Sequence, residues 1–482
     1  MKADISPTDA APGIEPQDGL PAPRRYWSIL AIWLAITMSV LDGSIANVAL
    51  PTIARDLGSS PAASIWIVNA YQLAVTVALL PMAALGDKLG YRRVYIAGLC
   101  VFTLGSLLCA LSGSLNELAA ARVVQGLGAA GVLSINSALV RFTYPKRMLG
   151  RGIGLNAVVI SIAAALGPTV AAAVLAVGPW EWLFAVNVPL GLLTLVIAAC
   201  ALPRTPGSGR RFDILSAVLN TLTFGGLIFG AERIVRDGFG EGAAILAAGA
   251  VAGVFLVRRE LRRPAPLVPF DLLRIPIFGL SIATSIVSFA AQMLAYVALP
   301  FYFQSQLGRS AVEIGLLMTP WPLAVGVAAP IAGRLSDRYP AGALGSLGLG
   351  VFAVGLFLLS QIPPGASDLD IVWRMAVCGL GFGFFQAPNN RALVSAAPLH
   401  RSGAAGGMLA TARLLGQTAG AVTTAAYFHL AGMGGAVLAL ITASAIAGAA
   451  AVISLLRLRL GRPPGGTGRP DAGVSEVAVG PS

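Results

Sequence analysis

Apolar stretches about as long as a membrane crossing recur along the chain, separated by short breaks of charge, glycine or proline. In order they run 28–50, 65–85, 94–113, 116–140, 152–177, 182–202, 213–231, 242–257, 276–303, 313–333, 342–360, 371–395, 402–430 and 434–456. A helix rises 1.5 Å per residue, so about 20 apolar residues cover the roughly 30 Å hydrocarbon layer of a bilayer. The pattern predicts fourteen membrane-spanning helices and no strands. Residues 1–27 and 459–482 are rich in proline, glycine and small residues with nothing to bury, and are expected to be disordered tails.

Composition agrees with this reading. Of 482 residues, 56% are hydrophobic and only 11% charged, with a mean hydropathy of +0.79, too apolar for one soluble core. The formal charge of +12 is scattered in short groups between apolar runs, which argues against a nucleic-acid binder. Lys and Arg accumulate on the cytoplasmic side of membrane proteins. With the N-terminus inside, 26 of the 33 fall in cytoplasmic segments, against Arg55, Arg233, Arg236 and Arg309 outside and Arg122, Arg374 and Arg413 within spans. Both termini are therefore expected in the cytoplasm. The first 27 residues hold no short apolar stretch with a cleavage site, so the first span is the expected targeting signal. Cys100, Cys109, Cys200 and Cys378 lie in apolar runs without metal or pairing spacing and are read as core residues.

An internal repeat divides the chain. Ala83-Ala84-Leu85-Gly86-Asp87-Lys88-Leu89-Gly90 recurs 250 residues later as Gly333-Arg334-Leu335-Ser336-Asp337-Arg338-Tyr339-Pro340, each after the second helix of its half. Arg122 to Gly128 has a looser echo in Arg374 to Gly381. The predicted units are a six-helix bundle over 28–202, a linker over 203–275 carrying two extra helices, and a second six-helix bundle over 276–458.

Within the first apolar run sits Asp42. An ionisable side chain at membrane depth costs several kcal/mol unless paired or wetted, and reads by default as functional. Arg122 in the fourth run lies at similar depth, about six residues from its outer end against about eight for Asp42, roughly 9–12 Å in. The two are expected to meet.

Four patterns give the chain a family likeness: Leu41-Asp42 with Asn47-Val48-Ala49-Leu50-Pro51, Asp87 to Arg93, Arg122 with Gln125-Gly126, and Gly167-Pro168 in the fifth run, with Trp182-Leu183-Phe184 and Asn187-Val188-Pro189 beside them. Over about 28–458 the chain resembles a major facilitator superfamily transporter, most closely the fourteen-span drug/proton antiporter branch. It departs from that pattern at Ala83, where a glycine is expected, and at Ala171-Ala172, where a glycine pair is. The resemblance implies an all-α membrane fold and proton-coupled efflux of lipophilic cationic or neutral drugs, dyes or antibiotics by alternating access. It implies no cofactor beyond the proton gradient and a bacterial inner-membrane location. It also implies a monomer, with a periplasmic adaptor where the bacterium has two membranes.

Roles follow residue by residue. Ionisation of a carboxylate held between burial and a guanidinium changes when the site opens to water or admits a cation. Asp42 and Arg122 are therefore expected to couple protons to substrate; a static ion pair joining two helices is the alternative. Asp87, Lys88, Gly90, Arg92 and Arg93, mirrored by Gly333, Arg334, Asp337 and Arg338, would latch a cytoplasmic gate in this family, and topology-setting charge alone does not explain the carboxylate in both halves. Gly167-Pro168 is a kink, or a hinge or seal against leak. Arg413, about eleven residues into the thirteenth run, has no acid in its own helix; substrate, Asp42 or carbonyls are the partners open to it.

Polar and aromatic residues at cavity depth are candidates for substrate contact: Tyr71 and Gln72, Asn156, Gln292 and Tyr296, Trp321, then Gln386, Asn389 and Asn390, besides Asp42 and Arg413. His400 and His429 have no metal spacing, and no Walker motif is present, so ATP is not the expected energy source. A membrane enzyme would need a nucleophile, metal cluster or paired carboxylates within the spans, and a receptor a sizeable soluble domain. The sequence offers neither. A proton-linked carrier of a specific metabolite, exporting a product or importing a nutrient, remains the closest alternative.

Overall fold

The computed structural model describes residues 19–205, 207, 212–263, 266–398 and 401–460. The outer parts of both expected tails, 1–18 and 461–482, lie outside the described residues, as do Arg210, Arg211 and His400. Regular structure among the described residues is entirely helical: α1 (Ala22–Asp56), α2 (Pro61–Ser64), α3 (Trp66–Leu89), α4 (Tyr91–Ala110), α5 (Leu115–Thr143), α6 (Leu149–Val177), α7 (Trp182–Ala185), α8 (Asn187–Ala201), α9 (Ile214–Asp237), α10 (Phe239–Glu260), α11 (Pro276–Ser305), α12 (Ala311–Met318), α13 (Pro320–Leu335), α14 (Ala341–Ser360), α15 (Asp368–Ala396), α16 (Ser402–Ala431) and α17 (Gly435–Leu460). Serine side chains start several of them. Ser60, Ser114, Ser310 and Ser367 each accept the amide three residues on, satisfying a donor the first turn leaves free.

Twelve stretches of described residues are long and apolar enough to cross a membrane, where the apolar pattern predicts fourteen. The difference has two physical sources. The stretch Ala404–Leu458 spans 55 residues and holds two helices, parted by a 3₁₀ turn at Gly432–Gly434. Helix α15 is 29 residues long but carries Asp368, Asp370 and Arg374 at one end and Gln386, Asn389, Asn390 and Arg391 towards the other, which lowers its hydropathy.

The ends differ from expectation too. Residues 22–27, expected within a disordered tail, form the first turns of α1. Arg24 donates to the carbonyls of Ala201 and Leu202, at 3.1 Å each, where α8 leaves its last acceptors open. Cys109 and Cys378 are buried, but Cys100 and Cys200 are exposed on helix surfaces rather than in the core.

Helices α1, α3, α4, α5, α6 and α8 form one group; in the other, α11 packs with α15, α16 and α17, while α13 packs on α15 and α14 on α15 and α17; the two groups meet at α1–α11, α3–α16 and α6–α12. The pair α9–α10 packs on itself and against α3 and α16. The groups share their joints. A Cβ at Gly128 of α5 would lie 2.2 Å from the Phe102 amide nitrogen of α4, and one at Gly381 of α15 would lie 2.4 Å from that of Phe352 on α14. Only glycine permits these backbones to approach so closely. Val48-Ala49-Leu50-Pro51 in α1 likewise recurs as Val297-Ala298-Leu299-Pro300 in α11.

Burial is uneven along the membrane axis. At the end away from the Asp87 and Asp337 loops, one core runs through Ile45 to Ala54, Met293 to Phe303 and Ile314 to Trp321 without a break between the groups. Thr169 of α6 and Thr319, just after α12, are bonded across that seam at 2.8 Å. At the arginine-rich end the core splits into two clusters, one around Tyr95 and Leu139 with Ala410 and Leu414 of α16 against it, another around Leu256, Phe278 and Leu393 that takes in Leu80 of α3.

Candidate functional site

Asp42 lies in mid-α1 and is 2% exposed, and Arg122 faces it from α5, 0% exposed. The Arg122 guanidinium donates to Asp42 Oδ2, its Nε donates to the Ile67 carbonyl at 3.2 Å, and its Cζ sits 4.1 Å from the centroid of the Tyr71 ring. Arg122 also reaches Gln125 Oε1, one helical turn on, at 2.6 Å. Gln125 Nε2 then donates to Asp42 Oδ1 at 2.7 Å and to Ser106 Oγ of α4 at 2.8 Å. Asn187 Nδ2, at the start of α8, donates to the same Asp42 oxygen at 3.2 Å. Both carboxylate oxygens are thus engaged, and Arg122 Nη2 is left without a partner among the described residues. Cutting any one donor leaves buried charge poorly compensated, a loss of about 1–3 kcal/mol; removing a whole ionic partner costs about 3–5 kcal/mol.

Among the described residues the second helix group has no such network. On the register set by the Gly128 and Gly381 contacts, Arg122 and Gln125 correspond to Met375 and Cys378, and on the Val-Ala-Leu-Pro register Asp42 corresponds to Ala291. All three counterparts are fully buried. Arg374, the expected echo of Arg122, instead pairs with Asp370 of its own helix at 2.9 Å.

Gly167-Pro168 sits beside this network and on the seam. A Cβ at Gly167 would fall 1.9 Å from Ser44 Oγ, two residues from Asp42, while the Pro168 carbonyl packs so that a Cβ at Gly315 of α12 would lie 2.6 Å away. The pair therefore joins α6 to α1 on one side and to α12 on the other.

The two charged loops are not bonded to each other among the described residues. Asp337 is ion-paired with Arg391 of α15, which also donates to Ser336 Oγ at 3.0 Å. Asp87 accepts from the Tyr91 hydroxyl, and Arg92 donates to the Ala199 carbonyl. Gly90 has φ +92°, and a Cβ there would meet the Thr205 carbonyl oxygen at 2.3 Å, so glycine is required. Gly333 has open space around it. Lys88, Arg93, Arg334 and Arg338 are exposed.

The candidate cavity residues divide. Tyr71 belongs to the Asp42 network and donates its hydroxyl to the Ser39 carbonyl at 3.1 Å. Trp321 is fully buried in an aromatic stack, 5.0 Å from Tyr296 and 5.5 Å from Phe352, which places it in the core rather than on a cavity wall. Gln72 reaches across the halves to Met293 Sδ at 3.8 Å, and Asn389 donates to Ser285 Oγ at 2.8 Å. Gln72 Oε1 and the Oδ1 atoms of Asn156, Asn389 and Asn390 are buried acceptors without donors. Gln292 and Gln386 are half-buried. Arg413 lies over the Phe289 ring at 5.3 Å, with no carboxylate in ion-pair range among the described residues.

Sequence reasoning missed Asn187 and Ser106 as partners of this site. Their signal was one polar residue each in an apolar run, without periodicity. Gln125 was legible as part of a motif, and its i+3 spacing from Arg122 already put both on one helix face.

The chain is 53% identical over 451 residues, 92% of its length and 97% of the relative's, to the uncharacterized transporter YebQ of Escherichia coli (strain K12). It is 29% identical to the riboflavin transporter RibZ of Clostridioides difficile (strain 630), covering 84% of this chain and 89% of that one. With the multidrug resistance protein Stp of Mycobacterium tuberculosis (strain CDC 1551 / Oshkosh) it shares 32% identity over 82% of this chain and 74% of the relative. The crystal structure of a bacterial homolog of the human lysosomal transporter Spinster matches in fold, at a TM-score of 0.67 with 14% identity, over 91% of this chain and 98% of that one. The sequence profile of the Major Facilitator Superfamily matches residues 32–421, and the chain belongs to that family of transporters.

Proposed function

We propose that the chain is a proton-coupled exporter of lipophilic cationic or neutral compounds, with Asp42 carrying the exchanged proton and Arg122 holding its charged form. The observation that carries this is the asymmetry between the halves. A buried carboxylate with three donor side chains stands in the first, and Ala291, Met375 and Cys378 stand at the matching places in the second. A pair serving only to join helices would be replaceable by well-packed apolar residues, as the second half illustrates. When the site opens outward and water loosens the Asp42–Arg122 contact, Asp42 takes up a proton from outside; substrate entering from the cytoplasm displaces that proton inward and the charged pair with Arg122 is restored.

The topology we infer is fourteen crossings with both termini in the cytoplasm of a bacterial inner membrane. Splitting Ala404–Leu458 at its 3₁₀ turn and including α15 favours this count. The halves 28–202 and 276–458 would rock about the α1–α11 contact, with Gly167-Pro168 sealing the outer seam and the Asp87 and Asp337 loops latching the inner one in the opposite state. The unpartnered acceptors of Gln72, Asn156, Asn389 and Asn390 suit a substrate that presents N–H donors.

A specific-metabolite carrier is the second reading, favoured by the likeness to the riboflavin transporter RibZ. A pump-deficient bacterial host expressing the chain separates the two when ethidium and riboflavin fluxes are followed with and without an uncoupler. Uncoupler-sensitive ethidium efflux is the expected result; riboflavin movement with unchanged ethidium accumulation supports the carrier instead.

A further inference from the structure

We propose that the arginine-rich end of the second half holds a binding site for a phosphate group, built from Arg457, Arg391 and the first turn of α14. A cavity of about 680 Å³ opens there between the ends of α13, α15 and α17, with Ser336, Pro340, Gly342, Arg391 and Arg457 among its walls. Arg457 is 5% exposed, yet its Nε, Nη1 and Nη2 all lack a partner among the described residues. A buried guanidinium without acceptors is costly, so an acceptor from outside the described chain is the natural complement.

The helix end supplies independent support. Helix α14 is 20 residues long, and Pro340 at its N-cap offers no side-chain cap; Ala343 and Leu344 donate to the Pro340 carbonyl, which leaves the amides of Ala341 and Gly342, both lining the cavity, and the positive end of the dipole without a side-chain acceptor. Arg457 lies directly against that turn: a Cβ added at Gly342 would sit 3.3 Å from Arg457 Cβ and 3.0 Å from the Ser454 carbonyl. The acid at the rim, Asp337, is already matched by Arg391. Among the described residues the site therefore has one uncompensated cation and a helix N-terminus, which together fit a phosphate oxygen set. Ile277, Pro388 and Leu458 form an apolar wall beside it.

The same chemistry comes from two sources, the headgroup of an anionic phospholipid in the adjacent leaflet or a soluble phosphate compound. In either case the anion would draw Arg391 from Asp337 and so loosen a charged loop.

The test uses the full-length protein purified in detergent. Native mass spectrometry follows adducts with dioleoyl phosphatidylglycerol against dioleoyl phosphatidylcholine, and thermal melting follows titration with inorganic phosphate. Wild type, Arg457→Met, Arg457→Lys and Arg391→Gln are compared. Preferential phosphatidylglycerol adducts that fall tenfold or more in Arg457→Met and persist in Arg457→Lys support a lipid headgroup. A phosphate-dependent rise in melting temperature lost in the same variant supports a soluble ligand. Should Arg457→Met fail to fold, the exposed Arg391→Gln substitution carries the comparison, with weakened binding expected. Wild type binding neither probe, or variants binding as wild type does, overturns the proposal.

Discussion

Asp42 of α1 is held by three side chains from two other helices, Arg122 and Gln125 of α5 and Asn187 of α8, so its charged form depends on all three helices staying in register. Position and sign made Asp42 and Arg122 legible in the sequence, because charge in an apolar run has few cheap explanations. Asn187 was not legible as a partner, since a single amide in an apolar run also suits a packing role. Its donation to Oδ1 makes it testable. A hydrogen bond to a charged acceptor is worth about 1.5–3 kcal/mol, so Asn187→Leu is expected to lower uncoupler-sensitive ethidium efflux by tenfold or more while the amount of folded protein, followed by size-exclusion chromatography, is kept. Efflux equal to wild type would show that Asn187 does not support the carboxylate.

Helices pair through glycines at α4–α5 and α14–α15, and here the sequence spoke only after the geometry supplied the register. The loop repeat runs at 250 residues and Arg374 stands 252 beyond Arg122, but the Gly128 and Gly381 contacts align α5 with α15 at 253, so Arg374, the apparent echo of Arg122, is one position out of register. Insertions between helices shift register without disturbing the apolar pattern, so periodicity cannot report them. Gly128→Val is expected to abolish recovery of monodisperse protein, because its Cβ would stand 2.2 Å from a backbone nitrogen. Gly225→Ala, with nothing within 4 Å of the added Cβ, is expected to be recovered as wild type. Fluorescence-detected size-exclusion chromatography reads both. At the connector, Arg401 bonds Asp271 and holds its carboxyl below the ordinary value of 3.8. A carboxylate with a depressed folded value stabilises the protein above the unfolded value and loses that contribution as pH falls through the folded one. Melting temperatures of wild type and Asp271→Asn should therefore differ slightly near neutrality, since the pair is part-exposed, and converge only as pH falls below 3.8 and through the depressed folded value. A gap that persists in acid would assign the effect to packing.

For the molecule as a whole, apolar runs and the alternation of Lys and Arg made a multi-pass helical fold readable before any contact was known. The count was harder, because a polar α15 and a helix pair joined without a polar loop blur the crossing signal. The division of labour was invisible: which half carries charge depends on what Ala291, Met375 and Cys378 replace, and apolar residues give no sequence signal of a missing network. That asymmetry leads to the central claim, that Asp42 in the first half is the proton carrier. The direct test is ethidium transport in proteoliposomes bearing wild type or Asp42→Asn, read both as equilibrium exchange without a gradient and as uphill movement driven by an imposed pH gradient. The predicted result is that Asp42→Asn retains exchange, showing a folded and mobile protein, and loses gradient-driven accumulation. Accumulation by Asp42→Asn at the wild-type rate would contradict the assignment.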